Sequence, residues 1–143
     1  MSEQTQVRLA STPDGRRIEV GTDLAVDRDR AWELLTDTTR WPDWGPSVTA
    51  VDLDHRFIAT GDIGRVRTVG GLWVPFEVTF CDGERWTWDV GGIRATGHRA
   101  EYLGPGRCRV VFEVPMFGAL YVPVCQRALA NIERLLLAET SSA

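Results

Sequence analysis

The chain has 143 residues and a formal net charge of −4 at pH 7, which fits one folded domain and gives no basic surface for nucleic acid. All 16 cationic side chains are arginine, so a Schiff base, a pyridoxal phosphate anchor and a P-loop lysine are excluded, because each needs a lysine amine. No apolar run reaches the roughly 20 residues of a membrane span, and no membrane insertion is expected.

Residues 1–14 are polar and predict a flexible N-terminal tail without the apolar segment of a signal peptide, so a cytoplasmic location is expected. Residues 15–140 are predicted to form a single domain. Its first strand is expected in residues 16–26, where apolar and polar side chains alternate. Asp27 is expected to cap the short amphipathic helix that comes next.

The segment after this helix contains Pro42 and Pro46, and it predicts a brief helical turn and a loop because proline interrupts longer helices. Trp41 and Trp44 flank Pro42. Two interpretations of these indoles are open: a cap packed over one end of the sheet, or a lid over the mouth of a cavity.

A run of short strands separated by turns follows and predicts an antiparallel meander. In the clearest of them, Leu72, Val74, Phe76, Val78 and Phe80 are expected to share one face, and the Asp82-Gly83 pair signals a hairpin turn. The predicted strands span residues 47–54, 62–69, 72–80, 85–90, 94–102 and 107–114.

His98 lies in the middle of the predicted strand 94–102. Because side chains alternate along a strand, His98 shares a face with Thr96 and Tyr102, while the charged Arg99 and Glu101 lie on the other. This places His98 on the inward face. Three roles fit that position: an acid/base catalyst, a polar contact to a ligand, or a core histidine with satisfied hydrogen bonds.

Six of the 16 arginines form two groups with different expected roles. Arg65 and Arg67 would stabilise an oxyanion if their strand turned them inward, and their orientation is left open. The others are expected to form a solvated stripe on the outer face, paired with Glu101 and Glu113; they are Arg94, Arg99, Arg107 and Arg109.

Cys81, Cys108 and Cys125, together with only two histidines, give no zinc-ligand spacing. We therefore expect reduced, buried cysteines, no metal site and no organic cofactor. His55, the second histidine, lies in a polar turn and is expected at the surface.

A long amphipathic helix is predicted from Pro123 onward, because apolar residues recur there at helical spacing. This helix has to bury its apolar stripe on one face of the sheet. The predicted fold is therefore α+β: two short helices after the first strand, and a six- to seven-stranded curved antiparallel sheet wrapped around the long C-terminal helix. Where the sheet curls further than the helix can fill, a cavity remains.

Three segments carry a resemblance to a known family: VDRDRAWELLTDTTRWPDWGPSV, TGDIGRVRTVGG and ATGHRAEYLGPGRCRVVFEV. With the order of the elements, they resemble the START-like superfamily, also called SRPBCC. It includes the birch-pollen allergen, the polyketide cyclase/dehydrase family and the lipid-transfer START domains. The likeness covers roughly residues 17–138 and implies the helix-grip fold of that superfamily.

The resemblance implies that a small hydrophobic or aromatic metabolite or lipid is bound, or transported, in a cavity between the sheet and the C-terminal helix. A monomer or a homodimer is compatible with this function. Apolar walls with a few polar groups are typical of such cavities. The expected lining residues are Phe76, Val78, Trp86, Trp88, His98, Tyr102, Val110, Phe112, Leu120, Val124 and Ala128.

Two other functions occur in the same superfamily. One is a cyclase or dehydratase reaction, with His98 as general acid or base and Tyr102 bonded to a carbonyl or enolate; whether the protein is an enzyme is left open. The other is the binding of a protein partner, as in chaperone activators. Partner binding is disfavoured because no strand shows a run of apolar residues on its polar face.

Overall fold

Eight antiparallel strands form one continuous sheet in the computed structural model, which describes residues 5–141. The strands are β1 (Gln6–Thr12), β2 (Gly15–Leu24), β3 (Val48–Asp52), β4 (Ile63–Thr68), β5 (Trp73–Cys81), β6 (Arg85–Val90), β7 (Ile93–Gly104) and β8 (Arg107–Pro115). Their order in the sheet is β1-β2-β8-β7-β6-β5-β4-β3. The consecutive hairpins β3 to β8 form the predicted meander, and β2 returns to pair with β8.

Helical segments cover the concave face of this sheet. Helix α1 (Arg28–Thr36) follows β2, a 3₁₀ turn (Thr38–Arg40) leads into the single-turn helix α2 (Trp41–Trp44), and a second 3₁₀ turn (Met116–Tyr121) precedes helix α3 (Val122–Ser141). The buried stripe of α3 consists of Cys125, Ala128, Leu129, Ile132 and Leu136. These side chains belong to the same core cluster as the inner residues of β2 and β8. The predicted helix-grip fold is confirmed, with eight strands instead of six or seven.

The additional strand is β1, which occupies most of the segment predicted to be a flexible tail. That prediction is wrong for Gln6–Thr12, because each of these residues pairs with β2. The side chains of Val7 and Leu9 are exposed, so β1 lacks the buried apolar face by which a strand is usually predicted. The turn at Asp14-Gly15 was the available signal, since Gly15 has φ 100° and such turns close hairpins. Residues 1–4 lie outside the described residues.

Asp27 precedes α1 as predicted, but its side chain does not cap the helix. Its carboxylate accepts a hydrogen bond from the Gly106 N–H at 2.8 Å, so it ties the start of α1 to the β7–β8 turn. The first N–H groups of the helix, those of Arg30 and Ala31, donate hydrogen bonds to the backbone carbonyl of Asp27 and not to its side chain.

Register shifts in β5 and β6 change which side chains face inward. Between Val78 and Phe80 the pairing of β5 with β6 slips, and Phe80 turns to the solvent while Phe76 and Val78 stay buried. Leu72 ends up in the turn before β5 and is also exposed. The predicted common face therefore holds only at the centre of the strand, because the bulge adds a residue to the alternation.

The outer face of the sheet carries a buried group of charges, which we call the outer-face ion cluster: Glu19, Arg85, Arg99 and Glu113. Glu113 is nearly inaccessible and accepts hydrogen bonds from Arg85 at 2.7 Å and Arg99 at 2.8 Å, and Arg99 also donates to Glu19 at 2.8 Å. Gly97 makes room for it, since a Cβ there would lie 2.7 Å from Glu113 Oε1. Of the four arginines predicted to pair with Glu101 and Glu113, Arg99 does so, while Arg94 and Arg109 bind aspartates. The centre of the cluster is buried and not solvated as predicted.

Candidate functional site

A small void between the sheet, α2 and the start of α3 forms the inner pocket, which has a volume of about 40 Å³. Uncharged side chains and a short loop surround it. The lining residues are Trp41, Trp44, Gly45, Pro46, Ser47, Val48, Trp86, Trp88, Thr96, His98, Phe112, Tyr121, Val124, Cys125 and Ala128.

Three stacked rings form one wall of the inner pocket. Trp86 on β6 lies between Trp41 of α2 and His98 of β7, with ring-centre distances of 5.2 Å and 3.9 Å and interplanar angles of 4° and 17°. Trp88 and Phe112 meet this stack edge-on, Trp88 against Trp86 at 5.4 Å and Phe112 against His98 at 5.1 Å. The aromatic contacts fix the planes of all five rings.

His98 is 3% exposed, and its ring makes hydrogen bonds at both nitrogens. Nδ1 lies 3.4 Å from the Trp86 carbonyl oxygen, which can only accept, so Nδ1 carries the proton of the neutral ring. Nε2 then accepts from the Thr96 hydroxyl at 2.9 Å, and Thr96 Oγ1 accepts from the Trp88 indole N–H at 3.2 Å. The donor and acceptor roles in these three hydrogen bonds all follow from the Trp86 carbonyl, which can only accept.

The pKa of His98 is lowered to about 3. Burial is the largest cause, because a charged imidazolium would lose its hydration, and the positive charge of Arg85 acts in the same direction. The hydrogen bond to the Trp86 carbonyl opposes them. His98 is therefore neutral at physiological pH.

The indole N–H of Trp86 has no partner, although the residue is 1% exposed. Among residues 5–139, whose side chains the structure describes, it is the one buried side-chain polar atom without a hydrogen bond. Leaving a buried donor unpaired costs about 1–3 kcal/mol. A group that accepts this N–H would recover part of that cost.

A larger space, the outer cleft, opens beside the inner pocket and has a volume of about 500 Å³. It lies where β3 and β4, the β6–β7 hairpin and the 3₁₀ turn Met116–Tyr121 meet, and its walls are mostly apolar. The lining residues are Ser47, Val48, Val66, Thr68, Val69, Trp88, Val90, Ile93, Arg94, Ala95, Thr96, Val114, Pro115, Phe117, Gly118 and Tyr121.

Ser47 and Tyr121 stand at the boundary between the two spaces. Their hydroxyl oxygens are 2.6 Å apart, which joins the loop after α2 to the 3₁₀ turn before α3. Both residues line the inner pocket and the outer cleft, as do Val48, Trp88 and Thr96. The inner pocket and the outer cleft are therefore adjacent, and the Ser47–Tyr121 hydrogen bond is part of the boundary between them.

Six of the eleven residues predicted to line a cavity do line the inner pocket: Trp86, Trp88, His98, Phe112, Val124 and Ala128. Phe76, Val78 and Val110 face inward but are buried in the hydrophobic core and border neither space. Phe76 does not border a cavity because the Trp41 ring packs on the Phe76 ring, with 5.7 Å between the ring centres. The Trp41 ring fills the space in which a cavity was predicted.

Tyr102 and Leu120 were predicted to line the cavity, and both predictions are wrong. Tyr102 is 67% exposed, and it lies four residues along β7 from His98, roughly 13 Å away in an extended strand. It therefore cannot act together with His98 on one substrate group. Leu120 is 97% exposed because it belongs to the 3₁₀ turn before α3, not to the buried stripe of the helix.

Trp41 and Trp44 form an inner wall in this structure and not a lid. Both are buried, and their indole N–H groups donate to the carbonyls of Leu35 at 2.9 Å and Leu34 at 3.2 Å. These bonds hold α2 against the C-terminal end of α1.

Arg65 and Arg67 are exposed and face away from the cavity, while Val66 between them lines the outer cleft. Arg65 binds Asp52 at 2.6 Å and lies over the Trp73 ring. Neither arginine reaches the space in which an oxyanion would be bound. His55 is at the surface, as predicted, with Nε2 2.7 Å from Asp62.

A family model for polyketide cyclase / dehydrase and lipid transport matches residues 15–136. The chain belongs to this family. No curated protein matches it.

Solved structures similar to this family member include the Zhui aromatase/cyclase from Streptomyces sp. R1128, which is 14% identical with a TM-score of 0.66 over 94% of this chain and 96% of Zhui. The di-domain ARO/CYC BexL of the BE-7585A biosynthetic pathway is 12% identical, with a TM-score of 0.66 over 89% of this chain and 45% of BexL. XoxI from Bacillus cereus is 11% identical, with a TM-score of 0.65 over 83% and 94%. At these identities the likeness establishes the fold.

Most of the outer cleft of this family member was not predicted from the sequence. Phe117, Gly118 and Tyr121 lie in the 3₁₀ turn after β8, where alternation along a strand gives no information on orientation, and Ser47 and Val48 lie at the point where β3 begins. The apolar run Met116–Tyr121 between a strand and a helix was the available signal, because loops are usually polar.

Two further properties concern the described part of the chain. None of its helices combines the length and apolar character needed to cross a membrane. No three His, Cys, Asp or Glu side chains within it are grouped so that they would hold a metal ion.

Proposed function

We propose that this protein binds a small hydrophobic or aromatic metabolite or lipid, with its apolar body in the outer cleft and one end at the inner pocket. The observation that carries the proposal is the outer cleft itself. Its volume of about 500 Å³ lies within the range of small-molecule sites, roughly 300–1,000 Å³, and its walls are predominantly apolar. Family membership supports it, since lipid transport is one of the functions in the family description.

The test combines native mass spectrometry, solvent extraction of co-purifying compounds, and titration with Nile red, whose emission rises in apolar surroundings. Ile93→Asp places a charge in the wall of the cleft at a side chain that is exposed, and we expect it to weaken Nile red binding by about tenfold. Ile63→Asp is the matched control, because Ile63 is exposed on β4 outside the cleft. Equal binding by both variants would contradict a site in the outer cleft.

The alternative is a cyclase or dehydratase reaction with His98 as general acid or base. A histidine and a threonine hydroxyl at the inner end of an apolar cleft favour it, as does the enzyme activity in the family description. Against it, the Nε2 lone pair of His98 is held by Thr96, and a pKa of about 3 makes the imidazole a weak base. Binding is therefore the first proposal and catalysis the second.

The extracted compound separates these two functions. If its mass and its chromatographic retention are both the same after incubation with fresh protein at neutral pH, the protein binds it unchanged, because a cyclisation would give an isomer of equal mass with a different retention. Loss of one water from the compound, abolished in His98→Gln, would establish the dehydratase alternative. The cytoplasmic location and the monomeric or homodimeric state stay predictions.

A further inference from the structure

We propose that the inner pocket receives an uncharged hydrogen-bond acceptor of the ligand, such as a ketone, aldehyde or amide oxygen, and that Trp86 Nε1–H is its donor. This inference rests on the proposed function, because it concerns the end of the ligand that enters the same cavity. It defines the chemical class of the ligand: an apolar or aromatic body with a neutral carbonyl at one end.

The first argument is the state of the Trp86 N–H. The three other indoles around the inner pocket all donate: Trp41 to Leu35, Trp44 to Leu34 and Trp88 to Thr96. The Trp86 N–H alone has no acceptor, and its ring is held from both faces by stacking. Because Trp86 lines the inner pocket, an acceptor that enters this pocket from outside the chain is the candidate partner for its buried N–H.

The second argument is size. A void of about 40 Å³ accommodates only a few water-sized groups, since one water needs roughly 10–15 Å³ on this measure. The inner pocket therefore takes the end of a molecule and not its body. The outer cleft, which shares Ser47, Val48, Trp88, Thr96 and Tyr121 with it, has room for the remainder.

The third argument is charge. Every side chain that lines the inner pocket is uncharged, including the neutral His98. A carboxylate or an ammonium group bound there would lose its hydration without gaining a counter-ion, which is unfavourable. The geometry thus selects a neutral acceptor over an anion of similar shape.

The experiment uses three probes with one aromatic body: 2-acetylnaphthalene, which carries a ketone, 2-ethylnaphthalene, which lacks it, and 2-naphthoate, which is anionic. Isothermal titration at neutral pH measures each affinity. We expect the ketone to bind about five- to tenfold more tightly than the hydrocarbon, as one net hydrogen bond provides, and the anion to bind more weakly than the ketone.

Trp86→Phe removes the donor, and Trp73→Phe is the matched control, because Trp73 is an exposed indole on β5 that lines neither the inner pocket nor the outer cleft. We expect the ketone-to-hydrocarbon ratio to fall to about one in the first variant and to persist in the second. Because Trp86→Phe could fail to fold, the indole N–H resonance of Trp86 in the unmodified protein gives a second readout. It should move downfield with the ketone and not with the hydrocarbon.

The outcomes separate the two proposals. If neither neutral probe binds, the proposed function fails, and this inference fails with it. If the ketone and the hydrocarbon bind equally and the indole resonance does not move, the cavity binds apolar molecules but the assignment of Trp86 is overturned. A preference for the anion would also overturn it.

Discussion

The imidazole of His98 is held neutral by everything that surrounds it. One ring face rests on Trp86, Nε2 is occupied by the Thr96 hydroxyl, and almost no surface reaches solvent. A second proton, on Nε2, would require the Thr96 hydroxyl to rotate from donor to acceptor and would place a positive charge in an apolar wall. Protonation is therefore coupled to the loss of this local packing.

This coupling predicts how stability depends on pH. The pKa of His98 is about 3 in the folded protein, below the 6.5 of an unperturbed histidine, so the unfolded chain binds a proton first as the pH falls. We expect the free energy of unfolding to drop by about 2 kcal/mol between about pH 7.5 and about pH 5 from this residue alone. Urea unfolding at several pH values measures the slope.

His98→Gln should remove this slope, because glutamine does not titrate. His55→Gln should retain it, since His55 is half exposed on its side chain and lies outside the core. The comparison is confined to values above about pH 5, where most carboxylates are still ionised. An unchanged slope in His98→Gln would contradict the coupling.

Alternation along a strand predicted that His98 faces inward, and the structure confirms it. It could not predict the neutral state, because the stacking partner Trp86 comes from a neighbouring strand whose register shifts between Thr87 and Asp89. For Tyr102, alternation along the strand did not predict the exposure of the side chain. Tyr102 follows the same alternation but lies beyond the part of the sheet that helices cover, so the pattern of the strand says nothing of its exposure.

At the scale of the elements, strand β8 joins the two sides of the sheet through Glu113. Its carboxylate meets Arg85 of β6 and Arg99 of β7, and Arg99 continues to Glu19 of β2. The outer-face ion cluster thus spans four adjacent strands by way of side chains alone. Its charges are buried, so removing Glu113 takes one counter-charge from each of two largely buried arginines, which keep Asp14 (Arg85) and Glu19 and Glu101 (Arg99).

Glu113→Ala is therefore expected to lower the free energy of unfolding by about 3–5 kcal/mol, measured by urea unfolding at neutral pH. Asp23→Ala is the matched control, since Asp23 binds Arg109 at 2.8 Å on the same sheet but in an exposed pair. That change should cost less than about 1 kcal/mol. Similar losses in both variants would show that burial of the cluster contributes nothing.

The elements themselves were largely predictable, because β2, β5, β8 and α3 each carry a strong apolar period. Bulges were not, since one extra residue in a strand leaves no mark in the sequence. The outer-face ion cluster shows the same limit: the pairing of arginine with glutamate was predicted, while the burial of Glu113 depends on Gly97 across the strand pair.

The whole sheet is open at both ends, with β1 and β3 as its edge strands. Removing residues 1–13 would expose the edge of β2, whose residues 15–21 pair with β1. Unpaired edges invite pairing with a second chain. We expect this truncated protein to unfold at a lower temperature and to self-associate as its concentration rises.

Light scattering after size-exclusion chromatography measures the association. Removal of residues 1–4 alone is the control, because β1 then keeps all its paired residues. A truncated protein with one molecular mass at all concentrations would contradict the prediction.

The fold could be predicted as a whole because the order of strands and helices and the long C-terminal stripe leave few ways to bury the apolar faces. The position of the cavity could not. It depends on how far the Trp41 ring enters between sheet and helix, which closes most of the interior and moves the free space toward the 3₁₀ turn Met116–Tyr121. Packing of this kind is decided by volumes, and a periodic pattern does not contain them.

Four of the six tryptophans of the chain surround the inner pocket: Trp41, Trp44, Trp86 and Trp88. The remaining two, Trp32 and Trp73, each lie beneath an arginine elsewhere on the molecule. Most of the intrinsic fluorophores therefore sit in one neighbourhood, and a guest that enters it changes their emission directly. Intrinsic tryptophan fluorescence therefore reports whether a ligand occupies the inner pocket, and a compound library can be screened by this signal on the unlabelled protein.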